Sequence, residues 1–173
     1  RNTSGLCVCA KNQYAASALS GSLSKVYFAV TCGTPPGDTV DAPIGRAGDS
    51  IITRCVTPEG QRAVTHFERV GGNDSHALLK VALETGRTHQ IRVHMKYIGH
   101  TLFNDARYGG NEVLKGTTFA KYKQFVQNCF DICPRHALHA KTLGFVHPIT
   151  GKEMFFDSEI PEDMSLLIEK WRS

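Results

Sequence analysis

The sequence predicts an α+β domain on a largely antiparallel sheet. Three observations lead there. Short runs of β-branched and aromatic residues alternate with period two. Glycine-, Asn- and Asp-rich turns separate them closely. Stretches with helical spacing are interspersed among the strand runs rather than gathered at one end. A length of 173 residues with 41% hydrophobic content fits one domain with a real core. No internal repeat is evident.

Taken in order, residues 6–10 read as a strand in which Cys7 and Cys9 alternate with Val8 and are expected to be buried. Residues 13–19 read as a short helix. Val26, Phe28 and Val30 alternate with Tyr27 and Ala29, a half-buried strand with Tyr27 facing away from the main apolar set. Gly33-Thr-Pro-Pro-Gly37 is a turn-rich break. Further strands are expected around 51–56, 62–70 and 77–83.

Next comes the densest chemistry of the chain, Gly86-Arg-Thr-His-Gln-Ile-Arg-Val-His-Met95. Thr88 is a suitable N-cap, Ile91, Met95 and Ile98 recur at helical spacing, and Gly99 supplies a stop. His89, Arg92 and Lys96 fall on a different stripe, near the positive end of that helix. A strand feeding a helix whose first turns project cations is a place to hold an anion.

A loop follows over 104–110, then a helix over 117–128. Residues 143–147 and 153–156 flank Pro148-Ile-Thr-Gly151, a hairpin turn with Gly in the permissive position. Pro161, Glu162 and Asp163 suit the first turn of a last helix, and Met164, Leu167, Ile168 and Trp171 form its apolar stripe.

The net charge of +4 alone does not identify a nucleic-acid binder. Its distribution says more. From Lys80 to Arg107 five Lys/Arg stand against two acids with three histidines between, whereas Glu153 to Glu169 holds six acids and no Lys or Arg. That asymmetry predicts a basic face toward nucleic-acid phosphate and an acidic face turned away. Six cysteines without a secretory signal or a small disulfide framework argue for reduced thiols in the cytoplasm, and no stretch reaches transmembrane length. Cys129 and Cys133 with His136 and His139 have a superficial zinc spacing that Pro134 interrupts, so no metal is expected.

Five segments, in order, resemble the RluA-type pseudouridine synthases, most closely the RluD-like branch acting on large-subunit ribosomal RNA. They are Arg1-Asn-Thr-Ser-Gly5-Leu6, Lys25-Val-Tyr27-Phe-Ala29, the pair Asp41-Ala-Pro-Ile-Gly45-Arg46 and Gly60-Gln-Arg-Ala63-Val-Thr65, then Gly86 to His94, and last Arg135-His-Ala-Leu138-His139-Ala140 with His147-Pro-Ile-Thr-Gly151. The interval over 17–24 looks short for that family. The resemblance implies a pseudouridine synthase catalytic fold over 1–173: a largely antiparallel mixed sheet, flanking helices and a central active-site cleft. Its catalytic aspartate would immediately precede Arg1, so the chain is expected to be an N-terminally incomplete catalytic domain, inactive alone. An S4-type RNA-binding domain would lie upstream if present.

The implied activity is isomerisation of uridine to pseudouridine in RNA without cofactor or metal. By the same resemblance Arg92 pairs with the nucleophilic aspartate, and Tyr27 stacks on the uracil and takes part in proton transfer. Leu138 lines the uracil pocket, while Arg87, His89 and Gln90 order the signature turn and contact RNA. Arg1, Thr3, Ser4 and Gly5 support the nucleophile's loop. The expected partner is RNA, met by a cytoplasmic monomer without membrane contact. The competing reading is a catalytically silent RNA-binding or ribosome-assembly factor on the same fold. A metal-dependent hydrolase using the Cys/His cluster ranks behind both.

Overall fold

The computed structural model describes residues 2–48, 50–117 and 119–172. The chain runs β1 (Ser4–Gly5), α1 (Gln13–Ser20), β2 (Ser24–Cys32), β3 (Thr39–Asp41), β4 (Ile44–Arg46), β5 (Arg54–Val56), β6 (Val64–Gly72) and β7 (His76–Leu83). It continues through α2 (Gln90–Tyr97), α3 (Ala120–Ile132), β8 (Leu138–Val146), β9 (Glu153–Asp157) and α4 (Glu162–Arg172). Seven strands form one sheet in the order β1-β8-β2-β7-β6-β3, with β9 also on β8; β4 and β5 form a separate ribbon. Every pairing is antiparallel except that of β1 with β8.

The sheet is covered on both faces, and the alternation of its strands shows why. On one side Val30, Cys32 and Leu78 pack with Phe103, with Val126, Cys129 and Phe130 of α3, and with Met164, Leu167 and Trp171 of α4. On the other side Ala29, Leu79, Val81 and Phe67 pack with Ile91 and Met95 of α2. The stripes expected on α2 and α4 are therefore core stripes. Tyr27 does face away from Phe28 and Val30, but it meets a second apolar layer rather than a polar surface.

Three sequence expectations need correction. Residues 6–10 are not a strand, and Cys7 and Cys9 are exposed. The reason lies in β8. Its edge pairs with β1 only at His139 and Ala140, and from Thr142 onward the same edge is taken by β9. A longer β1 would have no free partner.

Thr88 is not a helix cap. His89 holds that position in the left-handed region (φ 58°) with no side-chain cap bond. The Gln90 side chain satisfies the turn instead, its Oε1 accepting from the Arg87 amide and the Thr85 hydroxyl, both at 2.9 Å. Strands β3 and β4, on either side of Pro43, were not anticipated, because runs this short carry no readable period. Elsewhere the bounds differ modestly: α3 runs to Ile132 and β8 begins at Leu138, ahead of the expected hairpin arm.

Candidate functional site

The N-terminal segment is fastened to the start of β8 residue by residue. Thr3 Oγ1 pairs with His136 Nε2 at 2.9 Å and Ser4 Oγ with His139 Nδ1 at 3.0 Å. Arg135 Nη1 donates to the Asn2 carbonyl at 3.2 Å. The rest of that guanidinium is held by Asp163 of α4, at 2.8 and 2.9 Å. Gly5 sits at φ 95°, where a Cβ would collide with the Ala140 carbonyl, so only glycine allows β1 to lie against β8. Arg1 lies outside the described residues.

Beside this segment a cleft of about 260 Å³ is lined by Thr3, Tyr27, Leu83, Arg87, His89, Gln90, Ile91, Arg92 and Leu138. Seven of the ten residues that the sequence singled out thus meet in one place. Strand β2 delivers Tyr27 where its pairing with β8 shifts register between Val26 and Tyr27, an irregularity of the kind that re-aims a side chain. Ser4 and Gly5 stand behind the cleft, in the β1–β8 pairing.

A second, larger cleft of about 780 Å³ shares His89 and Arg92 with the first. Asn2, Asn104, Asp105, Arg107, Arg135 and His136 also line it. Joined at His89 and Arg92, the two make a groove with a small slot beside a larger vestibule.

Arg92 is the hub. It is buried on α2, and its Nε and Nη2 donate to the two oxygens of Asp105, both at 2.7 Å. Its guanidinium lies 4.8 Å over the Tyr108 ring, a cation–π contact. Nη1 has no partner among the described residues. The Tyr108 hydroxyl bonds His89 Nδ1 at 2.9 Å and accepts from the Arg54 amide at 3.2 Å. Asn104, at φ 55°, donates to the carbonyls of Phe130 and Cys133 and so ties this loop to α3.

Gln90 is buried with every polar atom engaged. Beyond the two bonds it accepts, its Nε2 donates to the Val64 carbonyl (2.9 Å) and the Thr65 hydroxyl (3.0 Å). Gln90 orders the turn from within.

Electrostatics separate the cations from the histidines. Burial first, then nearby Arg92, pushes His136 down to about 4; burial and the same arginine also lower His89. Both imidazoles are neutral near pH 7, which leaves the positive charge to arginines. Burial, then Cys7, raises the Tyr27 hydroxyl, which keeps its proton.

The spacing that suggested zinc is dispersed. Burial lifts the thiols of Cys129 and Cys133 to about 11, while His136 and His139 turn to the N-terminal segment. Among the described residues no three His, Cys, Asp or Glu side chains gather as a metal site requires.

The sequence assigns no role to Asp105, Tyr108 or Arg135, although Arg135 heads the last of the five segments. Asp105 was visible only as an acid in a glycine-rich loop, and no helical or strand period relates it to Arg92.

Residues 1–97 match the RNA pseudouridylate synthase family. The chain is 45% identical to the RNA pseudouridine synthase YjbO of Bacillus subtilis, over 98% of this chain and 56% of that protein. It is 42% identical to ribosomal large subunit pseudouridine synthase D of Vibrio vulnificus, over 99% of this chain and 54% of that protein. The chain therefore spans about half the length of these relatives. The fold is shared with the human RNA pseudouridylate synthase domain containing 1 protein: TM-score 0.65, 22% identity, covering 93% of this chain and 66% of that one. The corresponding domain containing 4 protein gives a TM-score of 0.61 at 22% identity, covering 87% and 62%.

Proposed function

The chain belongs to the RNA pseudouridylate synthase family, and on that premise we propose that it isomerises uridines of large-subunit ribosomal RNA to pseudouridine. The observation carrying this reading is the convergence of Tyr27, Arg92 and Leu138, from three different elements, on one small slot. The reaction breaks the bond between uracil N1 and ribose C1′, turns the base, and joins C5 to C1′. The proton on C5 departs and N1 gains one, so neither redox partner nor energy source is required.

In this proposal the slot takes a uridine flipped out of its helix, since the reacting atoms are inaccessible in a stack. Tyr27 lies against the uracil and, holding its proton, can donate it at N1 and be restored by the proton that leaves C5. Leu138 closes the apolar side. The nucleophile is an aspartate immediately before Arg1, presented by the segment that His136, His139 and Arg135 fasten. Arg92 is already committed to Asp105 through Nε and Nη2, so it meets that aspartate through Nη1. One guanidinium would then bridge two carboxylates, held ionised by the charge they share.

RNA would enter through the larger vestibule. The protein is proposed to act as a monomer in the cytoplasm; no helix among the described residues is long and apolar enough to cross a membrane.

Tritium release from large-subunit ribosomal RNA labelled at uridine C5 tests the proposal, using protein that includes the residues before Arg1. Release that disappears when the residue preceding Arg1 becomes alanine is the expected result. Tight RNA binding without release would instead make the protein a silent binder.

A further inference from the structure

A third depression, of about 330 Å³, adjoins the signature turn, where Arg87 lines both it and the slot. Its walls are the β4–β5 ribbon and the turn, and Arg46, Arg54 and Arg87 all face it. Arg46 and Arg54 are direct cross-strand partners. Like charges so opposed destabilise a strand pair; the ribbon is held instead by Ile44 and Val56, which pack against Ala63, Val93 and Tyr108.

Among the described residues none of the three arginines has a carboxylate within ion-pair distance, whereas their neighbour Arg62 is paired with Glu84 at 2.8 Å and Asp41 at 3.9 Å. Arg54 Nη1 donates to the carbonyls of Ile51 and Thr53, and Arg87 Nε to that of Arg62, which orients both without neutralising them. The single acid of the depression, Glu59, is bonded to the Thr57 hydroxyl. Gly86 opens onto this floor with nothing within 4 Å of where a Cβ would stand. Three uncompensated guanidinium groups around an open backbone are the chemistry of a phosphate site.

We propose that Arg46, Arg54 and Arg87 form a phosphodiester-binding site that grips the RNA backbone next to the nucleotide held in the slot. This rests on the isomerase reading for the identity of the strand. It goes beyond that reading by assigning the β4–β5 ribbon a ligand. Arg87, reaching both cavities, sets the distance between the flipped base and the gripped phosphate.

The test is the salt dependence of oligouridylate binding by the full protein, comparing wild type, Arg46→Gln with Arg54→Gln, and Arg62→Gln. Each lost phosphate contact on a single strand lowers the slope of log K against log salt by about 0.7. The site grips one phosphate, so the double variant should lose up to about 0.7 from the slope, while Arg62→Gln leaves it unchanged. The double variant should also melt at or above the wild-type temperature, since a like-charge pair has been relieved.

An unchanged slope in the double variant overturns the site, and so does an equal loss in Arg62→Gln. Inorganic phosphate separates the two sources of the ligand: a phosphodiester site is displaced by it only at concentrations far above those of oligouridylate, and phosphate binding tighter than oligouridylate binding overturns the assignment to RNA backbone. Failure of the isomerase reading is distinguishable, because tritium release can be absent while the slope still falls with Arg46 and Arg54. Conversely, release with an unaltered slope removes this site alone.

Discussion

Arg92 and Asp105 meet side-on, with Nε and Nη2 of the one on both oxygens of the other at 2.7 Å. The carboxylate is 1% exposed and also receives the Tyr108 amide at 3.3 Å. A pair this deep is not a source of large net stability, but half of it is a liability.

Asp105→Asn keeps the shape and leaves the Arg92 charge buried without its counter-ion. The expected cost is about 3–5 kcal/mol, read from urea unfolding midpoints. Isomerisation should be lost together with the Arg92 orientation, even at temperatures where the variant stays folded.

Gln90→Ala deserts four partners at once: the Arg87 amide, the hydroxyls of Thr85 and Thr65, and the Val64 carbonyl. A loss of about 3 kcal/mol is expected from those buried groups. Amide exchange should rise first at Arg87, whose N–H loses its acceptor. A variant as stable as wild type would contradict the reading of Gln90 as the organiser of the turn.

Gly5→Ala sets a methyl group against the Ala140 carbonyl in a left-handed conformation, whereas Gly21→Ala meets open space at φ −98°. The first should destabilise by about 1–3 kcal/mol and impair catalysis through the segment beside it. The second should be neutral or slightly stabilising. Equal behaviour of the two in thermal melts would remove the β1–β8 contact as the cause.

His76 stacks on Trp171 at 3.7 Å and is pushed down by burial to about 4. Above pH 6.5 the folded and unfolded imidazoles are both neutral and contribute nothing pH-dependent. Between 6.5 and 4 the unfolded chain takes a proton that the folded one refuses, so stability falls as pH falls, by up to about 3 kcal/mol. His136 should add a loss over the same window, being likewise near 4. His76→Phe should flatten the decline between pH 7 and pH 4.5 in denaturant midpoints, and an unaltered decline would show that another group sets it.

Tyr27→Phe separates the ring from its hydroxyl. The ring's packing against the second apolar layer is kept, so RNA affinity should change little while turnover falls by an order of magnitude or more. Wild-type turnover would show that proton transfer by that hydroxyl is not required.

The sheet and its four helices were legible because hydrophobic period survives in single segments: β2, β6, β7, α2 and α4 each carry their own pattern. What could not be read depends on neighbours. The end of β1 is decided by β9, nearly the whole chain away, and the cap of α2 by a side chain inside the helix rather than before it. In the site, the residues of the signature turn were found because they are adjacent in sequence, and Tyr27 and Leu138 because the family resemblance pointed to them. Asp105 and Arg135 act by crossing between segments, a relation that spacing does not encode.

Because β1 and β9 occupy successive stretches of one edge of β8, the hairpin and the arm that leads to the cleft compete for a common row of hydrogen-bonding groups. A two-residue slide of β9 toward the N-terminal end of β8 would claim Ala140 and displace the arm from its anchorage. The turn at Pro148-Ile-Thr-Gly151 fixes that register, which makes a surface hairpin remote in sequence the gauge of how much edge the arm receives.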